Sequence, residues 1–257
     1  MLAGSFVLCL FVLWFARGPR SSIAVPVGTA AADPLSSRRT AAPPEAVEAA
    51  KAERLDRPFL DASGKGAAAY AAGDYAAALA QFQEAVERNP QDAESLSNLA
   101  QVLVRLNRAE QALPYFQRAI SILPERWSYQ FNLARALGLL GRVDESIAAY
   151  RRAQQLFPDD YVTTFNLALS LHKAGNEAGA VEQYQKAIAL QPEDASFRLA
   201  LGNSLVRLDR RAEAAAAYQE YLRLSPSAPD ADKVRAKIVE LTGVQDSTPG
   251  AQGGTIP

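Results

Sequence analysis

The chain has 257 residues, one cysteine, one histidine, and a formal net charge of -1 from 27 Lys and Arg against 28 Asp and Glu. A near-neutral balance without basic clusters interleaved with aromatics excludes the usual electrostatic footprint of nucleic-acid binding. One histidine and one cysteine leave few nucleophile–base pairs and no set of metal ligands at recognisable spacing. The chain therefore reads as non-enzymatic, with no cofactor and no metal expected.

Residues 1–20 form an apolar leader: Met1 to Ala16 carries no charged side chain, and Arg17 and Arg20 follow. Three alternatives stand. A secretory signal needs an apolar core of about 7–15 residues, and Ala30-Ala31-Ala32 offers a cleavage site. A retained anchor needs at least about 17 apolar residues, and Arg17 and Arg20 would then keep the array on the cytoplasmic side. The third is a misassigned start. The expectation is a membrane-associated or exported protein, with the cell envelope or periplasm favoured and contact with membrane through this segment only. Cys9 follows Phe6-Val7-Leu8, which does not suit lipid attachment. Residues 21–58, rich in Ala, Pro, Ser and Thr, read as a flexible tether, with a short helix or further linker from Glu45 to Leu55.

From residue 59 the chain repeats. Pro90, Pro124, Pro158, Pro192 and Pro226 lie 34 residues apart, as do Gly73, Asn107, Gly141, Gly175 and Asp209. Phe82, Phe116, Tyr150, Tyr184 and Tyr218 keep the same step, and so do Ala85, Ala119, Ala153 and Ala187, with Tyr221 in the fifth place. In the second copy Leu96, Leu99, Ala100 and Leu103 have the i, i+3, i+4, i+7 spacing of a buried helix face. Asn107 tolerates the left-handed backbone that ends such a helix. A second helix begins near Ala109 and buries Ala112, Leu113, Phe116, Ala119 and Ile120, and Pro124 stops it. The unit is a helix, a tight turn and an antiparallel helix.

The segments SNLAQVLVRLNRAEQALPYFQRAISILP, FNLARALGLLGRVDESIAAYRRAQQLFP and FNLALSLHKAGNEAGAVEQYQKAIALQP resemble tetratricopeptide repeats in their Leu-small pair, turn residue, Ala, aromatic, Ala and terminal Pro. The resemblance implies an all-α, right-handed superhelical solenoid of antiparallel helix pairs, with five repeats at 59–92, 93–126, 127–160, 161–194 and 195–226. Two departures are local. Lys65 replaces an apolar residue, so the first helix should be less well buried, and Pro114 should bend its helix modestly. Residues 227–242 place Val234, Ile238 and Leu241 on one stripe, as a capping helix requires. Residues 243–257 read as a disordered tail.

His172 has no carboxylate at helical spacing and is expected to be solvated or at a groove edge. Asp159-Asp160 and Glu193-Asp194 start units, where the helix dipole accounts for them. Partner binding is expected on the face of each first helix opposite its buried stripe, which in this family lines the concave groove. The candidate residues are Asn98, Gln101, Arg105, Phe131, Asn132, Arg135, Phe165, Asn166, Leu169, Lys173, Asn203 and Arg207. Asn98, Asn132 and Asn166 repeat at the period. They make either a ladder of amides for an extended peptide backbone, similar to the asparagine ladder of eukaryotic protein O-glycosyltransferases, or local bonds between helices. Arg105, Arg135, Lys173 and Arg207 face the single acid Glu94, which suits an acidic, partly apolar partner. The chaperone-tail clamp of the family is not matched: Ser63 and Ala67 stand in the first copy, and Phe131, Arg135, Asn166, Ser196 and Ala200 from the third. The expected function is a non-catalytic interaction module holding a peptide or partner subunit in the concave groove. The alternatives are a self-assembling scaffold, or an accessory subunit presenting substrate to a separate enzyme.

Overall fold

The computed structural model describes residues 61–243, and every regular element among them is an α-helix. The first pair is α1 (61–71) with α2 (Tyr75–Arg88). The next are α3 (Ala93–Arg105) with α4 (Ala109–Ile122), and α5 (Trp127–Leu139) with α6 (Val143–Leu156). Then come α7 (Tyr161–Lys173) with α8 (Glu177–Leu190), and α9 (Ala195–Arg207) with α10 (Arg211–Leu224). α11 (Ala231–Thr242) packs on α10 and closes the stack. Each helix packs on its chain neighbours, so the architecture is a solenoid of antiparallel pairs.

The turns within pairs repeat one device. Gly73, Asn107, Gly141, Gly175 and Asp209 all have positive φ, between 55° and 80°. That conformation folds the next amide back on the helix just ended: Arg108 N donates to Leu103 O at 2.8 Å and Arg142 N to Leu137 O at 3.0 Å. Asn176 N and Arg210 N do the same to Leu171 O and Leu205 O, both at 2.9 Å. These bonds satisfy carbonyls that a helix end otherwise leaves open. The starts of α3, α7 and α9 are capped by acids of the inter-pair turns. Asp92, Asp160 and Asp194 accept from Ser95 N, Thr163 N and Ser196 N at 2.7, 2.8 and 2.9 Å. α4 runs unbroken through Pro114.

The core follows the periodic columns. Phe82, Phe116, Tyr150, Tyr184 and Tyr218 are buried, and Ala85, Ala119, Ala153 and Ala187 are fully so. Removing each such aromatic from water contributes about 1.5–3 kcal/mol, and the alanines permit the approach that buries it. At Gly202 the approach is closest: an added Cβ would lie 2.4 Å from the Tyr218 ring. α1 is less well covered, as the sequence suggests. Lys65 is exposed and pairs with Asp61 at 2.6 Å, and the buried side of α1 is Ala62 and Gly66. At the other end Tyr221 stands where four alanines stand earlier, and its hydroxyl donates to Asp230 at the start of α11. Val234 is buried there, with Ile238 and Leu241 packed beside it.

The apolar leader, the linker with its candidate short helix, and the tail from 244 onward lie outside the described residues. No helix among the described residues is long and apolar enough to cross a membrane.

Candidate partner-binding face

The first helix of each pair buries one side against its partners and leaves the opposite side to solvent or to a ligand. On α3, Asn98 and Gln101 are half-buried and Arg105 is exposed. Gln101 Nε2 lies 3.4 Å from both Asn98 Oδ1 and Ser97 Oγ, long for a hydrogen bond and easily exchanged. On α5, Phe131, Asn132 and Arg135 are half-buried. The Phe131 ring meets Tyr150 edge-on at 5.7 Å, and the Arg135 guanidinium lies 5.8 Å from its centroid.

α1, α3 and α5 converge here. Arg105 Nε donates to the Tyr70 hydroxyl at 3.1 Å, with the guanidinium 6.0 Å from the Tyr70 ring. Tyr70, Gln101, Arg105, Asn132 and Arg135 surround a small pocket of about 20 Å³, with Val104 and Phe116 beneath. The bond to Tyr70 raises the Arg105 pKa. Desolvation, and then the nearby Arg105 charge, lower that of Arg135. A larger crevice of about 350 Å³ opens elsewhere, beside Gln117, Gln130, Leu133 and Glu145, and includes none of the predicted residues.

Further along, the structure revises the expected surface. Phe165 is not an exposed anchor: it is 4% exposed and packs on Phe197 at 4.4 Å and Tyr184 at 5.6 Å. The cause is visible one repeat back. The position equivalent to Phe197 beside Phe131 is Thr163, too small to cover a ring. Asn166 is also buried, and its Nδ2 donates to Val162 O at 2.7 Å. Of the two alternatives for the asparagine column, Asn166 takes the local bond, within its own helix, whereas Asn98 and Asn132 remain partly open. Leu169 packs half-buried against the core. Lys173 is exposed, its Nζ 3.4 Å from Gly138 O. Asn203 Oδ1 accepts from the Tyr218 hydroxyl at 2.8 Å.

The second revision concerns charge. Glu177, at the first position of α8, is 7% exposed. Its Oε1 lies 2.6 Å from Arg207 Nε, an ion-pair distance without hydrogen-bond alignment. Its Oε2 lies 2.7 Å from His172 Nδ1. His172 is thus not simply solvated. It has a carboxylate partner across the turn, and Ser204 Oγ approaches the same ring nitrogen at 2.9 Å. Both contacts fall on Nδ1, whereas a catalytic relay requires the acid and the nucleophile on opposite ring nitrogens. The cluster joins the fourth repeat to the fifth.

Two residues of this surface were missed in the sequence, Tyr70 and Glu177. Glu177 had a signal: its column reads Tyr75, Ala109, Val143, Glu177 and Arg211, so an acid enters where small or apolar residues precede it. Tyr70 had none, because its contact with Arg105 spans two repeats.

A family model described as tetratricopeptide repeat matches residues 64–126, 110–161 and 165–229, together well over half of the chain. No curated protein sequence matches. Among solved structures, MamA residues 41 to the end from Desulfovibrio magneticus RS-1 superposes with a TM-score of 0.64 at 19% identity, covering 68% of this chain and 99% of that one. YrrB, described as a TPR protein with an unusual peptide-binding site, gives 0.63 at 17% identity, covering 74% and 97%. TTC0263 from Thermus thermophilus gives 0.51 at 23% identity, covering 72% and 100%. At these identities the likeness is one of fold.

Proposed function

The chain belongs to the tetratricopeptide repeat family, and from that premise we propose that it is a non-catalytic interaction module holding an extended peptide or a partner subunit against α3 and α5. The carrying observation is the convergence of Gln101, Arg105, Asn132 and Arg135 around one pocket. Amides supply both donors and acceptors to a peptide backbone, and the neighbouring aromatic rings supply apolar contact. The peptide-binding site described for YrrB, on the same fold, supports this use of the scaffold. The apolar run Met1 to Ala16 supports a place at the cell envelope, exported or held at a membrane.

The test compares partners captured from cells by the full chain and by the Gln101→Ala/Asn132→Ala variant, using crosslinking and mass spectrometry. Helical signal and melting must first match between the two. Loss of the same partners from the folded variant supports the reading, and unchanged partners refute it. Fractionation of the same cells tests location: recovery wholly with the soluble cytoplasm would refute the envelope assignment.

A further inference from the structure

Two of the turns between pairs carry large apolar side chains that the chain itself does not cover. Leu123 and Phe157 end α4 and α6, and Trp127 and Tyr161 open α5 and α7, so the same two positions are filled in successive repeats. Leu123 is 45%, Phe157 44% and Tyr161 39% exposed, and Trp127 is half-buried. The Trp127 and Phe157 rings stack at 5.4 Å, which joins the two turns into one apolar strip. Phe131 braces Trp127 at 6.0 Å and Phe197 braces Tyr161 at 6.1 Å, so the rings are held before any partner arrives. The fold does not require them. In the turns on either side these positions hold Asn89 with Ala93 and Gln191 with Ala195, and the helices there form the same pairs. Clustered apolar exposure of this kind marks a surface that another molecule covers, and Trp and Tyr are enriched where interfaces concentrate their binding.

Charge selects the occupant. Arg126, between Leu123 and Trp127, is exposed, with its guanidinium 6.0 Å from the Tyr129 ring. Asp159, between Phe157 and Tyr161, is exposed as well. Neither makes an ion pair among the described residues. Asp160 is turned onto its own helix, where it accepts from Thr163 N. The strip thus carries its one cation at the first turn and exposed acids at both, Glu125 and Asp159. A uniformly basic partner would meet Arg126, and a uniformly acidic one would meet Glu125 and Asp159. A second copy turned about a twofold axis lays its own apolar strip on this one with the two turns in reverse order. Arg126 of each copy then faces Asp159 of the other, the self-complementarity that an isologous contact needs.

We propose that this strip is a homodimer interface, in which Leu123, Trp127, Phe157 and Tyr161 pack on the same residues of a second copy and Arg126 pairs with Asp159 across it. Four side chains are few beside the roughly 20–30 residues a side of a standard interface, so the dimer is weak and concentration-dependent. The inference goes beyond the peptide-binding reading, since Gln101, Arg105 and Asn132 lie outside the strip.

Sedimentation equilibrium of the full chain over a concentration series tests it. The expected result is a reversible monomer–dimer equilibrium, with dissociation in the micromolar range or weaker. Phe157→Ser should weaken the dimer at least about tenfold. Arg126→Asp and Asp159→Arg should each weaken it, and the double exchange Arg126→Asp/Asp159→Arg should restore it, because the signs are then reversed on both copies. Asp is favoured at the helix start that Arg126 occupies, and Asp159 is exposed, so the exchanged variants should keep their helical signal and melting. A chain that stays monomeric, association indifferent to Phe157→Ser, or a double exchange no tighter than the single ones would each overturn the proposal. Indifference to Phe157→Ser would place association on another surface, the N-terminal apolar run included. The Gln101→Ala/Asn132→Ala variant should dimerise like the native chain. Lost partner capture with intact dimerisation, or the reverse, therefore separates failure of this proposal from failure of the peptide-binding reading.

Discussion

Replacing Phe165 by Ala separates an exposed anchor from a core residue. Phe165 is 4% exposed, its ring centroid lies 4.4 Å from Phe197 on α9 and 5.6 Å from Tyr184 on α8, and so it joins the fourth repeat to the fifth. Truncating a buried Phe to Ala typically costs about 3–5 kcal/mol, from lost transfer energy and the cavity left behind. The upper half of that range applies here, because two aromatic contacts disappear together. For a domain of this size each kcal/mol lowers Tm by about 2–4 °C, so the expected fall is about 8–20 °C. Repeat interfaces couple neighbours, which carries a defect at one interface into the melting of the array. Thermal and urea unfolding followed by circular dichroism measure it, with Phe165→Leu as the control that retains most of the volume and should recover most of the loss. A change in Tm below the scale of 1 kcal/mol, about 2 °C, combined with lost partner capture would refute the core assignment and restore Phe165 as a surface anchor.

Glu177→Ala should destabilise by about 1–3 kcal/mol in urea unfolding, since it removes the buried carboxylate that meets His172 and pairs with Arg207. Adding Arg207→Ala should cost less than the sum of the single changes, and strict additivity would show that the two residues do not interact. Gly202→Ala should lower Tm, because its Cβ would fall 2.4 Å from the Tyr218 ring and overpacking of about 1–3 kcal/mol exceeds the helix-propensity gain of about 1 kcal/mol. Gly64→Ala, with nothing within 4 Å of the new Cβ, should be neutral or stabilising, so equal falls in the two variants would count against the packing account. Burial pushes the Tyr218 phenol up to about 12 from its ordinary 10.0. The folded state then holds a proton that the unfolded state releases, so this stability is complete below pH 10 and is lost as pH rises toward 12. Urea midpoints that do not fall across that window would contradict the burial of Tyr218.

The local architecture was legible in the chain alone because it depends on local properties. Gly73, Asn107, Gly141, Gly175 and Asp209 are the residue types that accept positive φ or tolerate it, and each turn falls on one of them. The aromatic and alanine columns state which sides of the helices meet, since a fixed period repeats the same contact. The capping helix announces itself through its apolar stripe and the change from Ala to Tyr221. Exposure of the opposite face was not legible in the same way. Phe131 and Phe165 occupy the same column, yet only Phe165 is covered, because Phe197 arrives from the next pair where Thr163 stands one repeat earlier. Arg207 looks like Arg105 in sequence, but Glu177, 30 positions before it on another helix, engages its charge. Tyr70 meets Arg105 only because α1 and α3 lie side by side. Periodicity and turn chemistry act within one repeat, so the sequence by itself determined the solenoid. Burial and charge pairing act between repeats, so only the tertiary structure decided which of its polar and aromatic side chains remain for a partner.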